Sequence, residues 1–298
     1  MSKKKTIFSG VCTALITPFR DGEIDYKALK NLIEFQIENG IDALLINGTT
    51  GENATLTEKE QYEIISFAVR EVGERVPIIA GTGSNSTQKA INLSKFASDV
   101  GVNAILVVTP YYNKASAEGL IEHYEAIANE VDVPMILYNV PSRTGVNIPL
   151  SVYDKLSNNE IIVAVKEASA SVSDMAKLCA KCSDRLDVYS GNDDLILPTL
   201  SLGGRGVISV LSNILPKEVG EICRLWFDGK TTEARALQLR LLPLINSLFS
   251  EVNPIPIKAL LSKESFCAEE YRLPLCSMTE DKKKALFKTW AEFKGNST

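Results

Sequence analysis

Ile162-Val-Ala-Val-Lys166 is the stretch that decides the fold. It is short, β-branched and apolar at every position but the last, and Asn158, Asn159 and Glu160 lie just before it. A strand that is apolar on both faces belongs in a parallel sheet covered on each side by helices. Runs of the same kind recur outward in both directions, at Val11–Thr17, Ala43–Asn47, Ile78–Gly81, Ala104–Thr109, Met135–Asn139, Leu186–Ser190 and Gly206–Val210. Helical patterns fill the gaps: Asp25–Glu38, a segment opening with the capping box Thr57/Glu60 and carrying Tyr62, Ile65 and Val69, then Thr87–Val100 and Ala117–Glu130. Eight near-equal strand–helix units close naturally into an α/β (β/α)8 TIM barrel. An open doubly wound sheet is the alternative, disfavoured because no Gly-x-Gly-x-x-Gly turn follows the first strand. The barrel is expected over residues 1–225. Past it the strand signals stop, and Thr231–Phe249, Pro254–Ser262 and Thr279–Lys294 predict a C-terminal helical appendage over residues 226–298.

The bulk properties exclude several roles. A chain of 298 residues with 45% hydrophobic content buries a large core, and its net charge of -5 comes from interspersed acids and bases. That leaves no basic stripe for nucleic acid and no polybasic membrane patch. No run approaches the roughly 18–20 apolar residues of a membrane span. Lys3, Lys4 and Lys5 ahead of an apolar stretch imitate a secretion signal, but Ser9, Gly10, Thr13, Thr17 and Pro18 interrupt it, so Met1–Phe19 reads as a solvated tail entering the first strand. The six cysteines lack metal spacing; Cys179 and Cys182 form a lone Cys-x-x-Cys that fits one helix face. The single histidine, His123, sits among exposed-looking polar residues, which argues against a zinc site or a Ser-His-Asp triad. No metal or cofactor is expected, and the compartment implied is reducing and cytoplasmic.

Strand alternation places Ile162, Ala164, Lys166 and Ala168 on one face and Val163, Val165 and Glu167 on the other. The valines suit packing under helices, so Lys166 points into the barrel beside two alanines that leave room for a ligand. Desolvation there favours the neutral amine that carbonyl attack requires. Taken alone, a lysine at a strand end is more often solvated or paired. The other strand ends shift that balance. Asn47-Gly-Thr-Thr-Gly-Glu52, Thr109-Pro-Tyr-Tyr-Asn113, Tyr138-Asn-Val-Pro-Ser-Arg-Thr-Gly145 and Ser190-Gly-Asn-Asp193 follow strands, and Gly203-Gly-Arg-Gly206 leads into one. Polar and glycine-rich turns at the C-terminal ends of barrel strands are where such folds build active sites.

In order and together, Gly48-Thr-Thr-Gly-Glu52, Thr109-Pro-Tyr-Tyr-Asn113, Tyr138 to Gly145, Val165-Lys-Glu167 and Gly206-Val-Ile-Ser-Val210 resemble the dihydrodipicolinate synthase family, within the superfamily of N-acetylneuraminate lyase. The resemblance covers essentially the whole chain. It implies a lyase that condenses pyruvate with L-aspartate-4-semialdehyde through a Lys166 Schiff base, serving lysine and diaminopimelate biosynthesis. Thr50, Tyr138 and Tyr112 match the family's hydroxyl relay, with Tyr112 reaching across from a neighbouring subunit, which implies at least a dimer and usually a homotetramer. Thr49 and Thr50 match the positions that hold the pyruvate carboxylate, Gly191 and Ile208 those that line the pocket with backbone carbonyls, and Arg143 the one that binds the semialdehyde carboxylate. Arg143 also weighs against the sugar-acid aldolases and the sialic-acid lyase, which generally lack arginine in this turn. A barrel that binds a metabolite without catalysis is the rival from another class. One departure bears on regulation. Asn53, Ala54, Glu58, Gln61, Asn85, Lys89 and Tyr111 match positions surrounding a lysine effector in relatives, and Lys89 stands where a glutamate is typical. An ammonium there repels lysine, so weak feedback inhibition is expected.

Overall fold

The computed structural model describes residues 4–295. Eight parallel strands close into a barrel: β1 Gly10–Ala14, β2 Ala43–Ile46, β3 Ile78–Gly81, β4 Ala104–Val108, β5 Met135–Asn139, β6 Ile162–Glu167, β7 Asp187–Ser190 and β8 Gly206–Ser209, with β8 beside β1. The outer ring is α1 Tyr26–Glu38, α2 Glu58–Val72, α3 Thr87–Asp99, α4 Ala117–Ala128, α5 Leu150–Leu156, α6 Val172–Cys182, α7 Ile196–Ser201 and α8 Pro216–Phe227. The capping box at Thr57 forms with both of its hydrogen bonds, which fixes where α2 begins. Three further helices, α9 Thr231–Leu248, α10 Ile255–Lys263 and α11 Glu280–Gly295, follow the barrel, and α9 packs on α8 and α11. No described helix is long and apolar enough to cross a membrane. A two-stranded hairpin, Phe19–Arg20 with Glu23–Ile24, was not anticipated; it is too short to show alternation.

Two apolar layers result. Residues such as Cys12, Leu45, Ile79, Leu106, Ile136 and Ile208 fill the barrel, while Val11, Leu44, Ile78, Ile105, Leu137 and Val207 lie under the helices. This is the period-2 alternation of strands buried on both faces.

The expected parity of β6 needs correction at its start. Met135 pairs with Ile162 but Ile136 pairs with Ala164, so Val163 is an extra residue opposite β5. Such a bulge reverses the facing of everything before it. Ile162 therefore packs outside with Val165, and Val163 joins the interior beside Ala164 and Ala168. From Ala164 onward the alternation holds.

Two further expectations change. From Lys4 to β1 the chain is not a solvated tail, and Met1, Ser2 and Lys3 lie outside the described residues. Lys4 Nζ donates to the carbonyls of Ser157, Asn159 and Ile162 at 2.7, 2.6 and 2.6 Å. Phe8 is buried and stacks on Tyr189 at 4.2 Å between ring centroids. His123 is not exposed either: it is 4% accessible, and its Nδ1 lies 2.9 Å from the Thr87 hydroxyl. Helix α4 turns this face toward α3, a choice that polar neighbours in sequence conceal. Cys179 and Cys182 share the buried side of α6, and all six cysteines are free thiols.

Candidate active site

β5 and β6 are adjacent, and Tyr138 and Lys166 are partners in register. Both side chains project inward; Lys166 is 6% exposed, with Nζ 4.4 Å from the centroid of the Tyr138 ring. Lys166 makes no ion pair among the described residues. The space around it is set by small residues. A Cβ on Gly191 would lie 2.6 Å from the Ala168 Cβ and 3.2 Å from the Lys166 Cε, so a side chain at that position would collide with Ala168 and crowd the lysine. Ile208 contributes to the same barrel interior.

Beyond this centre, Asp193 accepts from the backbone N–H groups of Val210 and Leu211 at 3.1 and 2.9 Å. Burial pushes its carboxyl above the usual range, against the Ser209 hydroxyl, those amides and the Lys166 ammonium. On the other face of β6, Glu167 accepts from Ser169 N at 2.7 Å, Tyr153 Oη at 3.2 Å and Asn139 Nδ2 at 3.0 Å. That network anchors the end of the strand whose inward residue is Lys166.

The turn after β2 is held in a tight conformation. Asn47 and Glu52 adopt positive φ of 59° and 56°, and the Asn47 amide donates to the Gly81 carbonyl at 2.8 Å. Thr50 is buried, and its oxygen accepts from Asn253 Nδ2 at 3.0 Å. Thr49 is half-buried on the wall of a cavity of about 390 Å³ that Arg143, Val140, Tyr111 and Lys89 also line. Arg143 sits on a single helical turn, Pro141–Thr144, ended by Gly145 at φ 69°. Its guanidinium donates to the Asn253 carbonyl at 3.2 Å.

The predicted site residues thus fall into three groups. Lys166, Tyr138 and Gly191 meet at the barrel's centre, with Ile208 in the same interior. Thr49 and Arg143 share a cavity wall, and Thr50 and Arg143 are linked through Asn253. Tyr112 stands apart: it is 90% exposed at φ 71° and lines neither that cavity nor the barrel interior. Sequence reading missed Asn253. It lies in the C-terminal appendage, and its only local mark is that it precedes the helix-starting Pro254-Ile-Pro256.

Three comparisons bear on what this arrangement is. The sequence profile of the dihydrodipicolinate synthetase family matches residues 7–292. The chain belongs to the dihydrodipicolinate synthetase family. It is therefore an aldolase-type lyase, as its residues suggested. A 4-hydroxy-tetrahydrodipicolinate synthase of Clostridium perfringens is 51% identical over 274 residues, which is 92% of this chain and 94% of that protein. The structure of the 4-hydroxy-tetrahydrodipicolinate synthase from Methylacidiphilum fumariolicum matches with a TM-score of 0.95 at 43% identity, covering 96% of each chain. A dihydrodipicolinate synthase of Cyanidioschyzon merolae, solved with lysine bound, matches at 0.94 and 40% identity, covering 97% of this chain and 99% of that one. Membership of the dihydrodipicolinate synthetase family accounts for the whole barrel and its appendage, since the matched region extends into α11.

Proposed function

We propose that this chain catalyses the condensation of pyruvate with L-aspartate-4-semialdehyde to 4-hydroxy-tetrahydrodipicolinate, a step toward lysine and diaminopimelate. The observation that carries the reading is the buried Lys166 on the barrel's inner wall, set against the Tyr138 ring. A lysine amine is a nucleophile that adds to a keto acid's carbonyl and forms a Schiff base.

The amine adds to the pyruvate carbonyl, and loss of water leaves an imine on Lys166. Removal of a methyl proton gives the enamine, whose carbon attacks the aldehyde of the second substrate. The amino group of that substrate then adds to the imine carbon, closing the ring and releasing Lys166. Each transfer needs a proton moved to or from oxygen or nitrogen without a nearby histidine, and the Thr50, Tyr138 and Tyr112 hydroxyls serve as that relay. Thr49 and Thr50 hold the pyruvate carboxylate, the Gly191 and Ile208 carbonyls line its pocket, and Arg143 holds the carboxylate of the semialdehyde through its planar fork of donors.

Tyr112 takes part only if another copy of the chain supplies it, because in one chain it projects into solvent. The working form is accordingly a homotetramer, or at least a dimer, acting in the cytoplasm. Borohydride reduction with pyruvate tests the reaction class. A mass increase on the peptide bearing Lys166 is expected; an unmodified peptide at saturating pyruvate would overturn the proposal.

A further inference from the structure

Asn253 lies between α9 and α10 and meets Thr50 across 203 residues of sequence. It is 6% exposed, and the buried Oδ1 of its amide has no partner among the described residues. An unsatisfied buried acceptor costs stability, and an apolar residue of the same shape would avoid that cost. Stability alone therefore does not account for an asparagine here. The rest of the segment is firmly held: Tyr271 donates to the Ile255 carbonyl at 3.0 Å, and Lys258 is paired with Glu52. The appendage can thus present Asn253 rigidly to the barrel.

The hydrogen bonds it makes have a direction. A hydroxyl has one proton to donate and two lone pairs to accept with. Nδ2 of Asn253 occupies one lone pair of the Thr50 oxygen, so the Thr50 proton is left for another acceptor. The main-chain carbonyl of the same residue receives the Arg143 guanidinium. One residue of the appendage therefore governs two groups assigned to substrate carboxylates.

We propose that Asn253 is a positioning residue: by donating to Thr50 it turns the Thr50 hydroxyl proton toward the carboxylate of the keto acid, and its carbonyl steadies Arg143. This rests on the proposed pyruvate reaction. An aspartate at this position would do the reverse. Its carboxylate can only accept, so it would draw the Thr50 proton away and place a negative charge beside an anionic substrate.

The test measures, in the full-length protein, the pyruvate concentration giving half-maximal borohydride adduct on Lys166, together with KM for pyruvate, kcat and the thermal unfolding midpoint. The variants are Asn253→Ala, Asn253→Asp, Thr50→Val and the double Asn253→Ala/Thr50→Val. Asn253→Ala is expected to raise half-saturating pyruvate about tenfold, the size of one lost hydrogen bond to a charged group, without lowering the unfolding midpoint. Asn253→Asp is expected to raise it further. Adding Asn253→Ala to Thr50→Val should change nothing more, because the two act as a unit. Should Asn253→Asp fail to fold, the alanine cycle decides the matter. Pyruvate saturation unchanged in Asn253→Ala, or an equal rise with and without Thr50, overturns the proposal. Absence of any adduct on the unaltered protein overturns the pyruvate reaction beneath it, a failure the same measurement reveals separately.

Discussion

Lys258 Nζ lies 2.6 Å from Glu52 Oε1, with the two side chains 0% and 1% exposed. One charge comes from the appendage helix α10 and the other from the turn that carries Thr49 and Thr50. Burial pushes the Lys258 ammonium down, opposed by Glu52, and the Phe19 ring lies 4.3 Å away. Removing one member strands the other charge. Lys258→Met should therefore destabilise the fold by about 3–5 kcal/mol, whereas Lys258→Met with Glu52→Gln should recover most of the loss. Chemical denaturation of both variants checks this, and equal stability of the single and double variants would refute it.

Among the described residues, Arg143 donates to a main-chain carbonyl alone, which leaves its remaining donors for a ligand. Arg143→Met is expected to raise KM for the semialdehyde by roughly 10–100-fold, the effect of one to two charged hydrogen bonds. The pyruvate adduct on Lys166 should still form. Steady-state kinetics with each substrate varied, beside the trapping experiment, distinguishes this from a general loss of the site.

His123 titrates far from the active site yet couples to stability. Burial lowers it from 6.5 to about 4. Between those values the unfolded chain takes up a proton that the native protein does not, so stability falls as pH falls from about 6.5 toward 4. The loss amounts to at most about 3 kcal/mol at 1.36 kcal/mol per unit. Unfolding midpoints measured across this window should flatten in His123→Gln; an unchanged slope would show that other groups set it.

Lys89 and Tyr111 line the same cavity as Thr49 and Arg143. Lysine carries an ammonium that Lys89 repels, so millimolar lysine should leave turnover nearly unchanged, and Lys89→Glu should introduce inhibition. Initial rates against lysine concentration decide it. Half-maximal inhibition of the unaltered protein below 1 mM, on the order of the affinities that about 4 kcal/mol of binding provides, would contradict the expectation.

What neighbours in the chain can encode was legible. Alternating and 3.6-residue periodicities gave the eight strands, the first four barrel helices and the three of the appendage to within a few residues, because each depends only on which side chains share a face. The turn residues Gly-Thr-Thr-Gly, Tyr-Tyr and Gly191 announced themselves by chemistry unusual at strand ends. The β6 bulge was not legible, since Val163 is as apolar as a residue facing either way. His123 was misplaced for a similar reason: its polar neighbours in sequence say nothing of the Thr87 hydroxyl that meets it from α3.

By itself, then, the sequence determined the order of elements, the (β/α)8 closure and an inward Lys166 at the end of a strand. Tertiary structure alone decided that Asn253 reaches Thr50 and Arg143, that Lys258 neutralises Glu52, and that Tyr112 is left facing outward. Periodicity is a property of residues two to four apart, whereas these contacts join groups more than a hundred residues apart. Their partners are selected by how the barrel closes and how the appendage lies against it, which no local pattern records.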